Sequence, residues 1–476
     1  MSQGQPIPLE QLAEGLRAHA KDFHVEDFTE LISCDRLSGG ANQETYRVEA
    51  RTDSGTRTIA IRRSVGGLAN PATPGYPGLR AEAMLMKVAR AAGVPEPEVY
   101  WIFEAGDGLG EGFAMQWIDG ETLGKRIVNS DDLADARTKL AFQCGQILAR
   151  IHAVDTGGEL GQLLHTIAPD AFLEQTYARY RNFDTPQPMI DYTARWLRER
   201  LPKTPELRLV HNDFRNGNIM VSRTGVVAVL DWELAHIGDP MRDLGWLCTN
   251  SWRFGRSDLP VGGFGTYEDL FAGYESVTGI PMDRDRVEFW EVFGSFWWAV
   301  GCLEMANAYR GGIDRGIERA AIGRRTSECQ VDCVNLIMPG PVDLIAAPET
   351  PPPVEMPTTG ELLGGVRDFL RADVMNSAKG RSGFLARVSA NALDIVIREA
   401  AVGHLHRAAQ QQRLRQLLDS EANLETLTRK LADGLRSGVV ALDQPGLVEH
   451  LRQTVVNQVA IDQPRYSGLK TALARK

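Results

Sequence analysis

Between positions 346 and 359 the chain reads AAPETPPPVEMPTT, with five prolines in the ten positions from 348 to 357. Proline fixes φ and has no amide donor, so this run can be neither a helix nor a central strand. It reads as an extended linker that splits the chain into two folding problems. Ahead of it strand and helix signals alternate; behind it every signal is helical. Leu362, Leu363, Val366, Phe369 and Leu370 keep helical spacing. So do Phe384, Leu385, Val388, Leu393 and Val396, then Leu414, Leu417 and Leu418, then Leu447, Leu451 and Val455. The pattern predicts a small bundle of four or five amphipathic helices over 360–476.

The first 345 residues divide again. Short strands are expected in RLSGGANQETYRVEA, TRTIAIRRS and GFAMQWIDG, with a helix, GLRAEAMLMKVARAAG, closed by Gly93 between the last two. From 121 onward helices dominate: RTKLAFQCGQILARIHAV, then Tyr177–Leu201, then a tryptophan-rich segment. One exception interrupts them. NIMVSRTGVVAVLDW, 218–232, reads as a hairpin of two apolar strands turning at Arg223-Thr224-Gly225.

The net charge of −10 argues against nucleic acid as a partner, because phosphate backbones require a basic surface. The longest uncharged apolar run, VFGSFWWAVGCL at 292–303, is shorter than the ~20 residues a bilayer crossing needs. Bounded by Glu291 and Glu304, it reads as a buried core helix, and no membrane partner is expected. The first thirty residues alternate charge and apolarity, unlike a signal peptide. Six cysteines, at 34, 144, 248, 302, 329 and 333, form no CxxC and no metal spacing, as expected of buried thiols in a reducing, cytoplasmic setting. His404 and His406, two apart on a helix, make no metal site.

The densest chemistry lies in LVHNDFRNGNIMV, 209–221, where apolar pairs frame His211, Asn212, Asp213, Arg215, Asn216 and Asn218. A polar loop held between buried elements is where catalytic groups are commonly found. Phosphoryl transfer needs a carboxylate to orient a hydroxyl and accept its proton, and hard oxygen ligands for Mg²⁺. Asp213 suits the first task; Asn218 and Asp231 suit the second. The gap from Asp213 to Asn218 is that of the protein-kinase catalytic loop, and Asp231 follows the hairpin where a magnesium-binding aspartate would stand.

LVHNDFRNGNIMV together with VLDWELAHIGDPMRDLGWL resembles the aminoglycoside phosphotransferase and choline kinase-like family, over residues 25–340. GDPMRDLGWL and FWEVFGSFWWAVGCL carry a closer likeness to phosphotransferases related to the kinase-like domain joined to acyl-CoA dehydrogenases. The resemblance implies an α+β, two-lobed protein-kinase-like fold: a β-rich N-lobe with an N-terminal helix (1–120) and a mainly helical C-lobe (121–345). After the linker (346–359) comes an all-α domain (360–476) similar to a domain of unknown function appended to such kinases. It also implies ATP or GTP and Mg²⁺ as cofactors and a small-molecule hydroxyl as acceptor.

Under that resemblance the N-terminal half supplies the nucleotide site. Gly39, Gly40 and Ala41 form the turn over the phosphates. IAIR, 59–62, replaces the kinase VAIK strand, and period-two alternation puts Ala60 and Arg62 on one face. The cation is Arg rather than Lys, a departure that is not neutral. Glu82 matches the glutamate that anchors it, and Gln116 and Trp117 fall where backbone would meet the adenine. His211, Glu233, Asp239 and Asp243 are supporting residues, the last two bracing the loop and a helix start. Arg310, Arg315, Arg319, Arg324 and Arg325 read either as a solvated helix face or as a pocket for an acidic group such as the phosphates of CoA. The leading reading is a small-molecule kinase acting on a hydroxylated acyl compound or hydroxyacyl-CoA. The rivals are an aminoglycoside phosphotransferase and an inactive kinase-like nucleotide-binding module, which only the Arg62 departure favours.

Overall fold

A computed structural model describes residues 6–25, 27–37, 43–67, 76–203, 206–347 and 356–474. By internal contacts the chain forms two compact units. The first comprises 1–169, 203–248 and 252–290; the second comprises 170–202, 249–251 and 291–476. These groupings rest on contacts, whereas the four segments read from sequence rest on composition and motif.

The first unit is built on an antiparallel sheet of β1 (Phe28–Arg36), β2 (Gln43–Thr52), β3 (Gly55–Ser64), β4 (Val99–Ile102) and β5 (Gly112–Gln116), in the order β1-β2-β3-β5-β4. Alternation sorts its faces. Tyr46, Val48, Ala50, Ile59 and Ile61 join Leu12 and Leu16 of the helix Leu9–Ala18, with Phe23, Trp101 and Phe103, in one apolar cluster. That choice turns Ala60 and Arg62 to the opposite face, toward the helix Leu79–Ala91. This helix buries Ala81, Glu82, Leu85, Met86 and Ala89. It ends at Gly93, whose φ of +84° lets the Val94 amide reach back to the Ala89 carbonyl at 3.0 Å.

The same unit continues through the helix Ala134–His152, which packs on Tyr267–Thr278. The hairpin expected at 218–232 is present, as β7 (Ile219–Ser222) against β8 (Gly225–Val229). Two short strands, β6 (Arg208–Val210) and β9 (His236–Gly238), pair antiparallel on either side of it in sequence. The helix Met241–Cys248 follows, buried along its whole length.

Among the described residues the regular elements of the second unit are all helices. A single helix expected over 177–201 is instead two, Pro169–Arg181 and Pro188–Arg198, because Pro186 and Pro188 cannot continue one. The tryptophan-rich segment lies in the helix Arg284–Arg310, whose residues 284–290 group with the first unit. After 358 come Thr359–Phe369, a 38-residue helix Arg381–Leu418, then Leu424–Ser437, Leu447–Asp462 and Ser467–Ala474. Leu414, Leu427, Leu431, Leu435, Leu451, Val455 and Val459 share one core with Met189, Val331 and Val334. Among the described residues no helix is long and apolar enough to cross a membrane.

Candidate active site

Strand β6 delivers the polar loop. Its first residues are pinned by one carboxylate: buried Asp243 accepts the backbone amides of His211 (2.8 Å) and Asn212 (2.6 Å). Asp243 is itself held by His152 Nε2 at 3.1 Å, and His152 Nδ1 lies 3.0 Å from the Tyr274 hydroxyl. Burial alone would raise the Asp243 pKa, but these donors bring it below the usual carboxylate range. Asn212 adopts φ +64°, a left-handed conformation that Asn tolerates better than most residues. His211 fits the neutral Nε2–H tautomer, donating to the Leu230 carbonyl (3.1 Å) while Nδ1 accepts the Asp213 amide (3.3 Å). Burial lowers its pKa.

Asp213 is almost wholly engaged. Oδ1 accepts from Arg215 Nε (2.9 Å) and Trp246 Nε1 (2.8 Å); Oδ2 accepts from Arg215 Nη2 (3.0 Å) and Asn218 Nδ2 (2.6 Å). A carboxylate offers about four acceptor positions, and these four bonds fill them. Arg215 also stacks over Trp252, 4.3 Å from the ring centre. Asn216 fastens the loop from the other side, donating to the carbonyls of Trp252 (3.0 Å) and Gly262 (2.6 Å).

Asn218 and Asp231 stand at the open end of the hairpin. The Leu230 amide donates to the Asn218 carbonyl at 2.7 Å, which sets the two residues side by side across the ladder. Because the Asn218 amide nitrogen faces a carboxylate that can only accept, its oxygen is the atom left for a ligand. Asp231 has φ +69° and a side chain 28% exposed. Together they offer hard oxygen donors of the kind Mg²⁺ takes. Among the described residues no cluster of three or more metal-ligating side chains exists. A two-residue set nonetheless fits an ion that draws its other ligands from phosphates and water.

Arg62 links the sheet to this loop. Its Nη2 pairs with Asp231 Oδ1, and its Nε lies 2.8 Å from Glu82 Oε1, with the N–H directed off that line, so the contact is charge pairing rather than an aligned hydrogen bond. Burial would lower the Arg62 pKa, but Glu82, Asp231 and Glu233 raise it above its ordinary value. Burial pushes Glu82 up to about 7 despite Arg62. Glu233 also rises to about 7, through burial and then the charge on Asp231. Ala60 lies two residues from Arg62 on the same face of β3, paired with Met115 of β5. Gln116 closes β5 with its amide on the Glu98 carbonyl (2.8 Å), and Trp117 donates to Asp119 (2.8 Å) beneath the Arg47 guanidinium.

Other expected residues fall elsewhere. Gly39, Gly40 and Ala41 lie outside the described residues. Asp239 accepts from the Met241 amide (3.0 Å) at the start of its helix and from Arg286 (2.7 Å). Arg310, Arg315 and Arg319 belong to the second unit, where Arg319 pairs with Asp314 at 2.9 Å. Sequence reasoning assigned no role to Arg215, Trp246, His152 or Glu96, the last of which accepts from buried Trp232 at 3.1 Å. The signal for Arg215 was present, two residues after Asp213; the rest are long-range contacts.

Comparison with known proteins gives this geometry its context. The model of the APH phosphotransferase enzyme family matches residues 33–280, more than half of the chain. The chain belongs to that family. Members of the phosphotransferase family of small-molecule kinases share its kinase-like fold, here an antiparallel sheet followed by a mostly helical remainder. A solved Ralstonia eutropha structure assigned to the aminoglycoside phosphotransferases aligns with a TM-score of 0.55 at 21% identity, covering 70% of this chain and 98% of the other. Mouse acyl-CoA dehydrogenase family member 10 is 28% identical over 295 residues, 56% of this chain and 25% of that protein. Chicken acyl-CoA dehydrogenase family member 11 is 25% identical over 329 residues, 65% of this chain and 39% of its own length. The chain thus spans only a quarter to two-fifths of these relatives. Residues 376–466 match a domain of unknown function, DUF6285.

Proposed function

We propose that this phosphotransferase moves the terminal phosphoryl group of Mg-ATP, or Mg-GTP, onto a hydroxyl of a small molecule. The observation that carries the reading is Arg62: one cation on the central strand is tied at once to Glu82 and to Asp231. Such a cation, freed from Asp231 by bound nucleotide, is available to the α/β-phosphates, with Ala60 leaving room for the base. Gly39, Gly40 and Ala41 would form the turn over the phosphates, and backbone at Gln116 and Trp117 would meet the adenine edge. Mg²⁺, bound through Asn218 and Asp231, supplies neutralisation of the phosphate charge.

Asp213 takes the proton of the acceptor hydroxyl as its oxygen bonds to the γ-phosphorus and the bond to the β–γ bridging oxygen breaks. With all four acceptor positions filled, Asp213 must release one donor to do so. Arg215 is the donor to yield, because its side chain is 24% exposed whereas Trp246 is buried. Asp243 and His211 hold the loop backbone, and Asp239 holds the helix that carries Asp243. The acceptor we favour is a hydroxylated acyl compound or hydroxyacyl-CoA, supported by relatives named for acyl-CoA chemistry. Arg315 and Arg319 are kept as candidate contacts for its acidic groups, and the cytoplasm as the compartment.

The test is phosphate transfer from γ-labelled Mg-ATP to a panel of hydroxy acids, their CoA thioesters and aminoglycosides. Transfer to the acyl compounds alone is expected; an aminoglycoside as the sole product overturns the acceptor assignment. Asp213→Asn should cut kcat by about 10²–10⁴-fold with nucleotide affinity nearly intact. Retention of more than about a tenth of kcat removes Asp213 from the role of base.

A further inference from the structure

The second unit contains a cavity of about 460 Å³, within the ~300–1,000 Å³ typical of small-ligand sites. None of its lining residues belongs to the cluster around Asp213 and Arg62. Its walls come from the start of the helix Pro188–Arg198, the end of Arg284–Arg310, the helices between 317 and 337, and the C-terminal helices that carry His406 and His450.

Two features mark it as more than a packing gap. His406 and His450 are 3% and 2% exposed, and among the described residues Nδ1 of each has no hydrogen-bond partner. Buried polar groups are ordinarily paired, so two histidines in the lining of one cavity, each with an unpaired ring nitrogen, point to a group that is not part of the chain. The second feature is charge. Arg324 is neutralised by Asp462 (2.6 Å) and Glu399 (2.8 Å). Arg310 is exposed and has no carboxylate partner among the described residues. The lining therefore carries one surplus positive charge, Arg310 and Arg324 against Asp462. Leu303, Leu451 and Val455 supply an apolar wall.

We propose that this cavity binds a small amphipathic organic anion, with its charged head at Arg310, its hydrocarbon body along Leu303, Leu451 and Val455, and a hydroxyl or carbonyl at His406 and His450. The polarity follows from exposure: the charge stays at the open side, where water screens it, and the neutral group enters the buried end. Burial and neighbouring Arg413 push the two histidines down to about 4 and about 3, so both rings stay neutral, each with one nitrogen that donates and one that accepts. A polycation is disfavoured by the surplus positive charge. An inorganic anion would leave the apolar wall and both histidines unused.

The experiment uses the full chain without nucleotide, so its outcome is independent of the phosphotransfer reading. Hydroxyoctanoate, octanoate, octanediol and inorganic phosphate are titrated while the ring resonances of nitrogen-labelled His406 and His450 are followed. Hydroxyoctanoate should bind with a Kd of about 1 mM or tighter and shift both rings. Octanediol, lacking the anion, should bind about tenfold more weakly. Octanoate should bind with a smaller histidine response, and phosphate should leave the rings unmoved. Arg310→Ala should weaken hydroxyoctanoate about tenfold and leave octanediol unchanged. Unmoved histidines at saturating hydroxyoctanoate, equal affinity for octanediol, a phosphate response matching that of hydroxyoctanoate, or indifference to Arg310→Ala would each overturn the assignment. The comparison of probes on the unaltered chain decides the matter even if the variant folds poorly.

Discussion

Each compact unit buries an arginine among acidic groups, and the two arrangements are built on opposite plans. In the second unit Asp191 is fully buried and saturated: it accepts from Tyr177 (2.7 Å), Tyr180 (2.9 Å) and Arg436 Nε (2.8 Å) and Nη2 (3.3 Å). Arg436 also reaches the exposed Asp433 (3.0 Å), but the buried acid itself meets one base, and each of its lone pairs has a donor. In the first unit Arg62 faces three acids, Glu82, Asp231 and Glu233, and Glu82 Oε2 accepts no hydrogen bond of ordinary geometry among the described residues. A closed pair specifies a fold; an over-acidic cluster holds negative charge that the chain alone cannot neutralise. Perturbed carboxylates of the second kind mark functional sites, and a divalent cation is the natural complement in the reaction proposed above.

The largest effect should come from breaking the closed pair. Asp191→Ala leaves Arg436 with only the exposed Asp433, Tyr180 with only a long contact to the Gln187 carbonyl (3.5 Å) and the buried Tyr177 hydroxyl without its acceptor. The unfolding free energy of that unit should therefore fall by about 3 kcal/mol. Urea melts followed by tryptophan fluorescence would measure it. Glu233→Gln is the contrasting change: it removes a like charge, so it should leave stability unchanged or raise it. Equal losses for the two variants would erase the distinction between the clusters.

A smaller effect should appear in the pH dependence. Glu82 and Glu233 are both raised to about 7 in the folded chain, against an unfolded value of ~4.3. Between these values the folded state binds more protons than the unfolded one, so these groups make stability fall as pH rises from about 4.5 to 7. The melting temperature of wild type minus that of Glu233→Gln isolates the contribution of Glu233. That difference should become more negative across the window. A flat difference would mean that Glu233 titrates normally and that the cluster is less crowded than its geometry implies.

How much of this could be read beforehand depended on how local the information was. Asp213 and Asn218 sit five apart in one loop, and their side chains meet; the hairpin that sets Asp231 beside Asn218 announces itself in an apolar–turn–apolar pattern. Parity along IAIR put Ala60 and Arg62 on one face. The neighbours of Asp213 were harder. Arg215 looks like any loop cation until its fork is seen on the carboxylate. Trp246, thirty-three residues on, gives no sign that its indole donates to Asp213. His152 reads as the end of an amphipathic helix, although it holds the carboxylate that pins the loop. In the C-terminal region periodicity picked out the buried Leu414, Leu447, Leu451 and Val455, but Leu362, Val366, Phe369, Phe384 and Val396 keep helical spacing and stay exposed. Leu427 and Leu431 gave no hint that Met189 and Val334 share their core.

The finest prediction concerns the departure from the kinase pattern. Arg62 presents a planar fork, with Nε toward Glu82 and Nη2 on Asp231, so one side chain serves two carboxylates at once. Arg62→Ala should weaken nucleotide binding and slow transfer. Arg62→Lys should restore only part of both, since a single ammonium cannot divide itself between Glu82 and Asp231 as the guanidinium does. If Glu82 acts by positioning Arg62, then with Arg62 already removed Glu82→Ala should cost little more. A double-mutant cycle on kcat/KM should therefore return a coupling of about 0.5–3 kcal/mol. The conservative variant Glu82→Gln keeps the length and an acceptor oxygen while losing the charge, so it should recover part of the loss if orientation matters and none if charge alone does. Additive losses in the cycle would show that the pairing seen in the structure carries no weight in the reaction. Full activity in Arg62→Ala would go further, removing Arg62 from the phosphate site and leaving the open cluster without the cation around which it is built.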